Sequence, residues 1–185
     1  MKRRPFLHLT LASLGWLAAG ASATTARAQV PLLVPVEIAI PRIGLVAPVV
    51  PVGLEPDGAM EAPSDPDTVG WFSLGAGLGG PGNAILAGHV DWGGRLRTFG
   101  LLNLLQPNDE VRVGVGGGLQ ITYRVEWSSL IDAEGAPVAE IFAQGAREEI
   151  TLITCGGVFD PVTRSYLQRL LVRAVRIPAD VATTA

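Results

Sequence analysis

Short apolar runs, several of them closed by glycine or proline, recur along this chain and restrict the folds that it can adopt. Val36–Ile40 is closed by Pro41, and Thr151–Cys155 is followed by Gly156 and Gly157. The 185 residues include 23 glycines and 14 prolines, so turns are frequent. Because proline and glycine both weaken a helix interior, this punctuation favours many short strands over long helices. The length suits one domain with a sizeable core.

The apolar runs predict seven or eight strands and no long amphipathic helix. The clearest strands are expected at Val36–Ile40, Ile43–Val52, Asn83–His89, Glu110–Val115, Leu119–Trp127, Thr151–Cys155 and Leu170–Val175. A short helical or 3₁₀ segment is expected within residues 99–105, and one or two helical turns around Val138–Ala143. This pattern is typical of an all-β domain, either an antiparallel barrel or a sandwich, with short helices in the connections.

Two of these strands are expected to form a hairpin across three consecutive glycines at 116–118. Alternation with a period of two identifies the residues that share a face on each strand. These are Val111, Val113 and Val115, expected inward, and Ile121, Tyr123, Val125 and Trp127, expected together on the returning strand.

The first residues have the composition of an export signal. Lys2, Arg3 and Arg4 precede a mostly apolar stretch, and Ala26-Arg27-Ala28 has the small-x-small form of a cleavage site. We predict a signal peptide over 1–28, with a retained membrane anchor as the alternative, since a span needs about 20 apolar residues. The adjacent arginines also fit a twin-arginine signal loosely. Residues 29–35 are then a lead-in, 36–177 the folded domain and 178–185 a tail.

Net charge argues against a nucleic-acid partner. Removal of residues 1–28 takes away four of the 14 basic residues and none of the 17 acidic ones, which leaves a net charge of −7. A nucleic-acid-binding domain would need a basic face to neutralise phosphates. A membrane contact is expected only through the N-terminal segment, if that segment is not cleaved.

The domain holds one cysteine and, once residues 1–28 are removed, one histidine. Cys155 has no partner in the chain for a disulfide, and an exported free thiol is open to oxidation. It is either a small buried hydrophobe or a thiol kept for its reactivity. Metal binding would need more ligands than one histidine and one cysteine, so we expect no metal site and no cofactor.

His89 and Cys155 each end an apolar strand beside glycine, which favours a catalytic pair over chance placement. Such a pair performs acyl transfer, in which the thiolate attacks a carbonyl and the imidazolium protonates the leaving amine. A permanent cation would stabilise the oxyanion that forms. Arg169 suits this role because guanidinium stays charged, with Arg164 and Arg173 as the other nearby cations. Taken singly, the histidine has a structural interpretation and the arginine a surface one.

These residues resemble the motifs of the sortase family, the cysteine transpeptidases that attach proteins to bacterial cell walls. The resemblance rests on Ala87-Gly88-His89, on Thr151-Leu152-Ile153-Thr154-Cys155 and on Arg169-Leu170-Leu171-Val172, and it covers roughly residues 36–175. His89-Val90-Asp91 and Cys155-Gly156-Gly157-Val158-Phe159-Asp160 are most similar to class F sortases, with class E next.

The resemblance implies a closed eight-stranded sortase-type β-barrel that cleaves a Leu-Pro-x-Thr-Gly-like (LPxTG-like) sorting signal of exported proteins. It implies Cys155 as nucleophile, His89 as general acid and base, and Arg169 as the clamp for substrate and oxyanion. Thr154 would contribute a hydroxyl on the substrate side. The thioacyl enzyme would pass its acyl group to an amine of the cell wall or of a pilin, or to water. The expected location is extracytoplasmic, in the cell envelope or at the membrane.

Two other functions are open to such a sequence. One is a secreted cysteine peptidase or an L,D-transpeptidase, although the latter is expected to carry a Ser-His-Gly-Cys run, whereas Thr154 precedes Cys155 here. The other is a secreted β-barrel binding module with a vestigial site. Loss of His89 or Arg169 would have favoured the module, and both residues are present.

Overall fold

The computed structural model describes residues 33–178 of the chain. The predicted signal peptide, most of the lead-in and the tail from residue 179 lie outside the described residues. No helix among residues 33–178 has the length and apolar character needed to cross a bilayer.

Ten strands and three short helices make up the described chain. The strands are β1 (Pro35–Ile40), β2 (Leu45–Val52), β3 (Val69–Phe72), β4 (Gly82–Ala87), β5 (Asp91–Trp92), β6 (Arg95–Leu96), β7 (Glu110–Val115), β8 (Leu119–Asp132), β9 (Glu148–Asp160) and β10 (Ser165–Arg176). One α-helical turn, α1, spans Val138–Ile141, and 3₁₀ turns span Pro41–Ile43 and Leu102–Leu104. Helical turns were predicted near two of these positions, around 99–105 and 138–143, and both predictions are confirmed.

Eight of the strands close into one barrel, which confirms the predicted fold class. Their order around the barrel is β1-β2-β3-β4-β9-β10-β8-β7, while β5 and β6 form a separate hairpin. The expectation of a wholly antiparallel barrel is wrong, because β2 pairs with β3 and β4 pairs with β9 in parallel. Parallel neighbours need long crossover connections. Residues 53–68 and 88–147 are those connections, and both reach the cleft described below.

The barrel interior is filled by alternate residues of the strands. On the β7–β8 hairpin, the expected inward residues Val111, Val113, Val115, Ile121, Tyr123 and Val125 are all buried. The expectation for Trp127 is wrong, since its side chain is 39% exposed and lies against the Arg173 guanidinium. Pairing of β8 with β10 shifts register between Arg173 and Ala174, and such a bulge reverses the alternation beyond it.

Strands β9 and β10 are longer than predicted, so Cys155 and Arg169 lie inside strands rather than at strand ends. The glycines after Cys155 were interpreted as the start of a loop, but β9 continues through them to Asp160. Gly157 has φ +73°, and a Cβ there would stand 1.9 Å from Gln168 Oε1. Glycine is therefore required at this irregular point of the ladder, and it does not end the strand.

A buried tyrosine and a glutamate tie β8 to β9 far from Cys155. The Tyr123 hydroxyl donates to Glu148 Oε1 at 2.7 Å, and the Gly79 amide donates to the same oxygen at 2.9 Å. Burial and the bond to Glu148 both raise the pKa of Tyr123, so the phenol keeps its proton and remains the donor. Tyr123 pairs with Arg176, seven residues along β10 from Arg169.

Removal of the Tyr123 hydroxyl should weaken the barrel without changing its shape. Tyr123→Phe keeps the buried ring and removes one hydrogen bond to a carboxylate, so we expect a loss of about 1–2 kcal/mol in the free energy of unfolding. Urea unfolding followed by tryptophan fluorescence measures this change. An unchanged midpoint would contradict a stabilising role for this hydroxyl.

Candidate active site

Strand pairing brings His89, Cys155 and Arg169 to the same level, with Cys155 on β9, Arg169 on β10 and His89 two residues beyond the end of β4. Cys155 is the direct cross-strand partner of Arg169. On the other side of β9, Ala87 pairs with Ile153 in the parallel ladder, and the Gly88 amide donates to the Ile153 carbonyl at 3.1 Å. Continuing that register by two residues brings His89 beside Cys155. The three predicted residues are therefore brought together.

The Cys155 thiol lies on the outer face of the barrel wall. Ile150 and Leu152 of β9 are in the buried core, so the alternate residues Ile153 and Cys155 face the other way. Cys155 is a free cysteine and is half-buried. A thiol in this position is sheltered by protein on its sides and open to a cleft above it.

That cleft has a volume of about 600 Å³ and contains all three candidate residues. Its walls are mostly apolar and come from β3, β9 and β10 and from the connections after β2 and after β8. The wall residues include Met60, Pro63, Phe72, Ala133, Val138, Ile141, Phe142, Ile153 and Leu171. A cleft of this size and character is typical of a site that holds a short peptide or a small molecule.

His89 is held by a main-chain oxygen and by an aromatic ring. Its Nε2 lies 2.8 Å from the Pro63 carbonyl oxygen, and its ring meets Trp92 edge to face with centroids 5.0 Å apart. A carbonyl only accepts hydrogen bonds, so Nε2 carries the hydrogen and donates it. Nδ1 is therefore the nitrogen that remains free to exchange a proton with a reacting group.

Arg169 is anchored through one end of its guanidinium. Its Nη1 donates to the carbonyl oxygens of Tyr166 and Gln168, each at 2.9 Å. Within residues 33–178, no carboxylate oxygen lies within 4.0 Å of this guanidinium, so its charge is not neutralised by an ion pair. Such a cation, half-buried beside a thiol, is suited to stabilise a developing negative charge.

The other two cations considered from the sequence are engaged elsewhere. Arg173 pairs with Glu149 and lies over the Trp127 ring. Arg164 is exposed in the turn between β9 and β10, where it has φ +53°. Neither is among the residues that line the cleft.

Thr154 joins the histidine strand to the cysteine strand. Its hydroxyl donates to the Gly88 carbonyl at 2.8 Å, and its side chain is buried. Neighbouring residues of a strand face opposite sides, so this hydroxyl and the Cys155 thiol point apart. The expectation that Thr154 contacts substrate stays a prediction.

Four neighbours of the candidate residues were given no role in the site from the sequence: Pro63, Asp91, Trp92 and Tyr166, of which Asp91 was noted only in the resemblance to class F. Pro63 acts through its backbone, which leaves no side-chain signal. Asp91 and Tyr166 are 75 residues apart, yet the Tyr166 hydroxyl donates to Asp91 Oδ2 at 2.6 Å. The one sequence signal that could have indicated this pair is closeness to the candidate residues, since Asp91 follows His89 by two residues and Tyr166 precedes Arg169 by three.

The described residues contain no group of three or more histidine, cysteine, aspartate or glutamate side chains that could hold a metal ion.

Substitution of Thr154 distinguishes a structural hydroxyl from one that contacts substrate. Thr154→Val leaves the buried Gly88 carbonyl without its donor, so we expect a loss of about 1–3 kcal/mol in the free energy of unfolding. Thr154→Ser is the matched control, because it keeps the hydroxyl. If the valine variant keeps full stability in urea but binds substrate more weakly, the hydroxyl acts on substrate instead.

The chain matches a known protein family. A model of the sortase domain matches residues 38–177, which is more than half of the chain. No curated protein sequence shows a significant match. The solved sortases below are under 25% identical and show the fold.

Three of these structures cover most of the chain. Sortase C1 from Streptococcus agalactiae is 23% identical with a TM-score of 0.60, covering 78% of this chain and 68% of that one. Sortase C2 of group B Streptococcus pilus island 1 is 22% identical with a TM-score of 0.60, covering 81% and 77%. A lid mutant of sortase A from Corynebacterium diphtheriae is 23% identical with a TM-score of 0.61, covering 83% and 75%. The chain belongs to the sortase family, and it is a cysteine transpeptidase.

Proposed function

We propose that this enzyme cleaves an LPxTG-like sorting signal at Cys155 and transfers the acyl group to an amine of the cell envelope. The observation that carries the proposal is that Cys155 on β9, its cross-strand partner Arg169 on β10 and His89, just beyond the end of β4, line a single cleft. These groups can supply the nucleophile, the general acid and base, and the oxyanion donor of acyl transfer through a thioester.

The first half of the reaction follows from these groups. The Cys155 thiol passes its proton to His89 Nδ1, which gives a thiolate and an imidazolium. The thiolate attacks the carbonyl carbon of the signal's threonine, and the negative charge moves to the carbonyl oxygen beside Arg169. When the tetrahedral intermediate collapses, the carbon–nitrogen bond to glycine breaks. His89 donates a proton through Nδ1 to the departing amine. A thioester between Cys155 and the threonine remains.

The second half reverses the roles. An amine attacks the thioester carbon, and neutral His89 accepts the proton that the amine loses. The carbon–sulfur bond breaks and the Cys155 thiolate is restored. Water completes the same cycle in place of an amine, which gives hydrolysis. The amine of a cell-wall precursor or of a pilin is the acceptor that we propose.

The cleft supports a peptide substrate with apolar residues before the scissile bond. Its wall combines Phe142, Val138 and Ile141 from the connection after β8 with Met60 from the connection after β2. Burying a leucine or proline side chain there releases ordered water and contributes roughly 25 cal/mol per Å² of apolar surface. The preferred signal is therefore expected to carry such residues.

Sortases are cell-envelope-associated enzymes, and we propose that this one is exported by its N-terminal segment. Residues 1–28 supply the positive start, the apolar stretch and the small-x-small site of a signal peptide, or of an anchor if cleavage does not occur. Its substrates are then other exported proteins.

Within the family, we propose class F membership, with class E as the alternative. The proposal rests on His89-Val90-Asp91 and on the run from Cys155 to Asp160. The solved structures compared above are class A and class C sortases, and at their low identity they support the shared barrel.

Mass spectrometry of the acyl-enzyme tests the nucleophile and the signal together. Incubation with a small library of LPxTG-like peptides should add the mass of the threonine-terminated fragment to Cys155. Cys155→Ala should show neither the adduct nor cleavage. Cleavage that persists in Cys155→Ala would refute the thiol mechanism. A mature protein that forms no adduct with any peptide would refute the proposed substrate.

Substitution of Arg169 tests the oxyanion assignment. Arg169→Met should lower kcat by about 10²-fold, the usual cost of one oxyanion donor, while Cys155 remains reactive toward iodoacetamide. Arg164→Met is the matched control, because that arginine is exposed and outside the cleft. Equal activity of the two variants in peptide cleavage would remove Arg169 from the mechanism.

A further inference from the structure

We infer that Tyr166 and Asp91 form a clasp that holds the histidine side and the arginine side of the cleft in register. Tyr166 is a positioning residue in this inference, because it acts through Asp91 and Arg169. The activity measurements below rest on the proposed function, and the spectroscopic ones do not.

The clasp is a single short hydrogen bond between distant parts of the chain. The Tyr166 hydroxyl on β10 donates to Asp91 Oδ2 on β5 at 2.6 Å. A tyrosine bonded to a carboxylate is a charge-assisted pair, which is stronger than a bond between neutral groups. The bond also raises the pKa of Tyr166, so the phenol keeps the proton that it donates.

Tyr166 also reaches Arg169 through its backbone. Its carbonyl oxygen accepts a hydrogen bond from Arg169 Nη1 at 2.9 Å. The ladder between β10 and β9 is irregular here, with a register shift between Tyr166 and Gln168. Because regular pairing is interrupted, the backbone that anchors the guanidinium depends on other contacts, and the bond to Asp91 is one of them.

Asp91, at the other end of the clasp, lies in the segment that packs against His89. Asp91 and Trp92 form β5, a two-residue strand that pairs with β6 outside the barrel. Trp92 is half exposed, yet its ring meets the His89 ring at 5.0 Å. The Tyr166 hydroxyl thus ties the segment that supports His89 to a barrel strand.

The Tyr166 ring is itself fixed by an aromatic neighbour. Phe159 is its cross-strand partner on β9, and the two rings meet edge to face with centroids 5.2 Å apart. Edge-to-face packing restricts the ring and so aims the hydroxyl. The clasp therefore spans three places at once: the cysteine strand, the arginine strand and the segment after the histidine.

The chain offers a matched control for removal of the hydroxyl. It has two tyrosines, and each donates to a carboxylate, Tyr166 to Asp91 and Tyr123 to Glu148. Neither tyrosine lines the cleft, but Tyr166 bonds Asp91 and Arg169, whereas Tyr123 pairs with Arg176 on β10. Tyr166→Phe and Tyr123→Phe thus remove the same kind of bond, one next to the candidate catalytic residues and one seven residues along β10 from Arg169.

Kinetics of peptide cleavage give the first test. Tyr166→Phe should lower kcat by about tenfold and change KM by less than about twofold. The reason is that the variant loses a hydrogen bond to a charged group, and His89 and Arg169 are then less well aligned with Cys155. Tyr123→Phe should keep kcat once folded. Asp91→Ala should lower kcat as much as Tyr166→Phe does, and the double variant should have the same kcat as either single variant. Asp91→Asn should keep most of the activity, because its amide retains an acceptor oxygen for the Tyr166 hydroxyl.

Nuclear magnetic resonance of the His89 ring gives a test that needs no substrate. Tyr166→Phe should shift the ring-proton resonances of His89, because movement of Trp92 changes the ring current acting on them. Tyr123→Phe should leave them in place, and His89→Ala identifies the signals. Unchanged His89 resonances and unchanged kcat in Tyr166→Phe would overturn the clasp, as would additive losses in the double variant. Shifted resonances in a protein that cleaves no sorting signal would keep the clasp and refute the proposed function.

Discussion

The site depends on the pairing of β9 with two neighbours of opposite direction. β4 lies parallel to β9 and β10 lies antiparallel to it, so one strand carries the thiol between a histidine and an arginine. The register is exacting, because a slip of one residue turns every side chain of a strand to the other face. Thr154 supports that register beyond the last residue of β4, since its hydroxyl bonds the Gly88 carbonyl.

The barrel strands align the three groups, and the crossover connections form the cleft around them. The connection after β2 brings the Pro63 carbonyl to His89 and covers one side of the cleft. The connection after β4 contains the β5 strand with Trp92, and the segment after β8 contributes the helical turn α1. Because parallel pairing requires such connections, the same topology that aligns the strands also encloses the thiol.

Much of the site could be predicted from the sequence because its key residues are scarce. One cysteine and one histidine in the folded part leave a single possible pair, and the Cys155 motif indicates the family when it is taken together with the His89 and Arg169 motifs. The extent of β9 and β10 could not be predicted, because glycine at 157 fits both a loop and an irregular strand. Only the pairing of the two strands beyond it, Phe159 with Tyr166 and Asp160 with Ser165, distinguishes them. Parallel pairing was missed for a similar reason, since a strand's alternation is the same in either direction.

The hydrogen bond from His89 to the Pro63 carbonyl has a consequence for how this enzyme can vary in evolution. Every amino acid carries that carbonyl, so selection on the histidine's orientation acts on the path of the backbone rather than on the identity of residue 63. Related enzymes can differ at this position and still hold the ring in the same way. A comparison of aligned side chains would overlook the Pro63 carbonyl as a partner of His89. A change in the length of the connection after β2 would move that carbonyl away from the histidine.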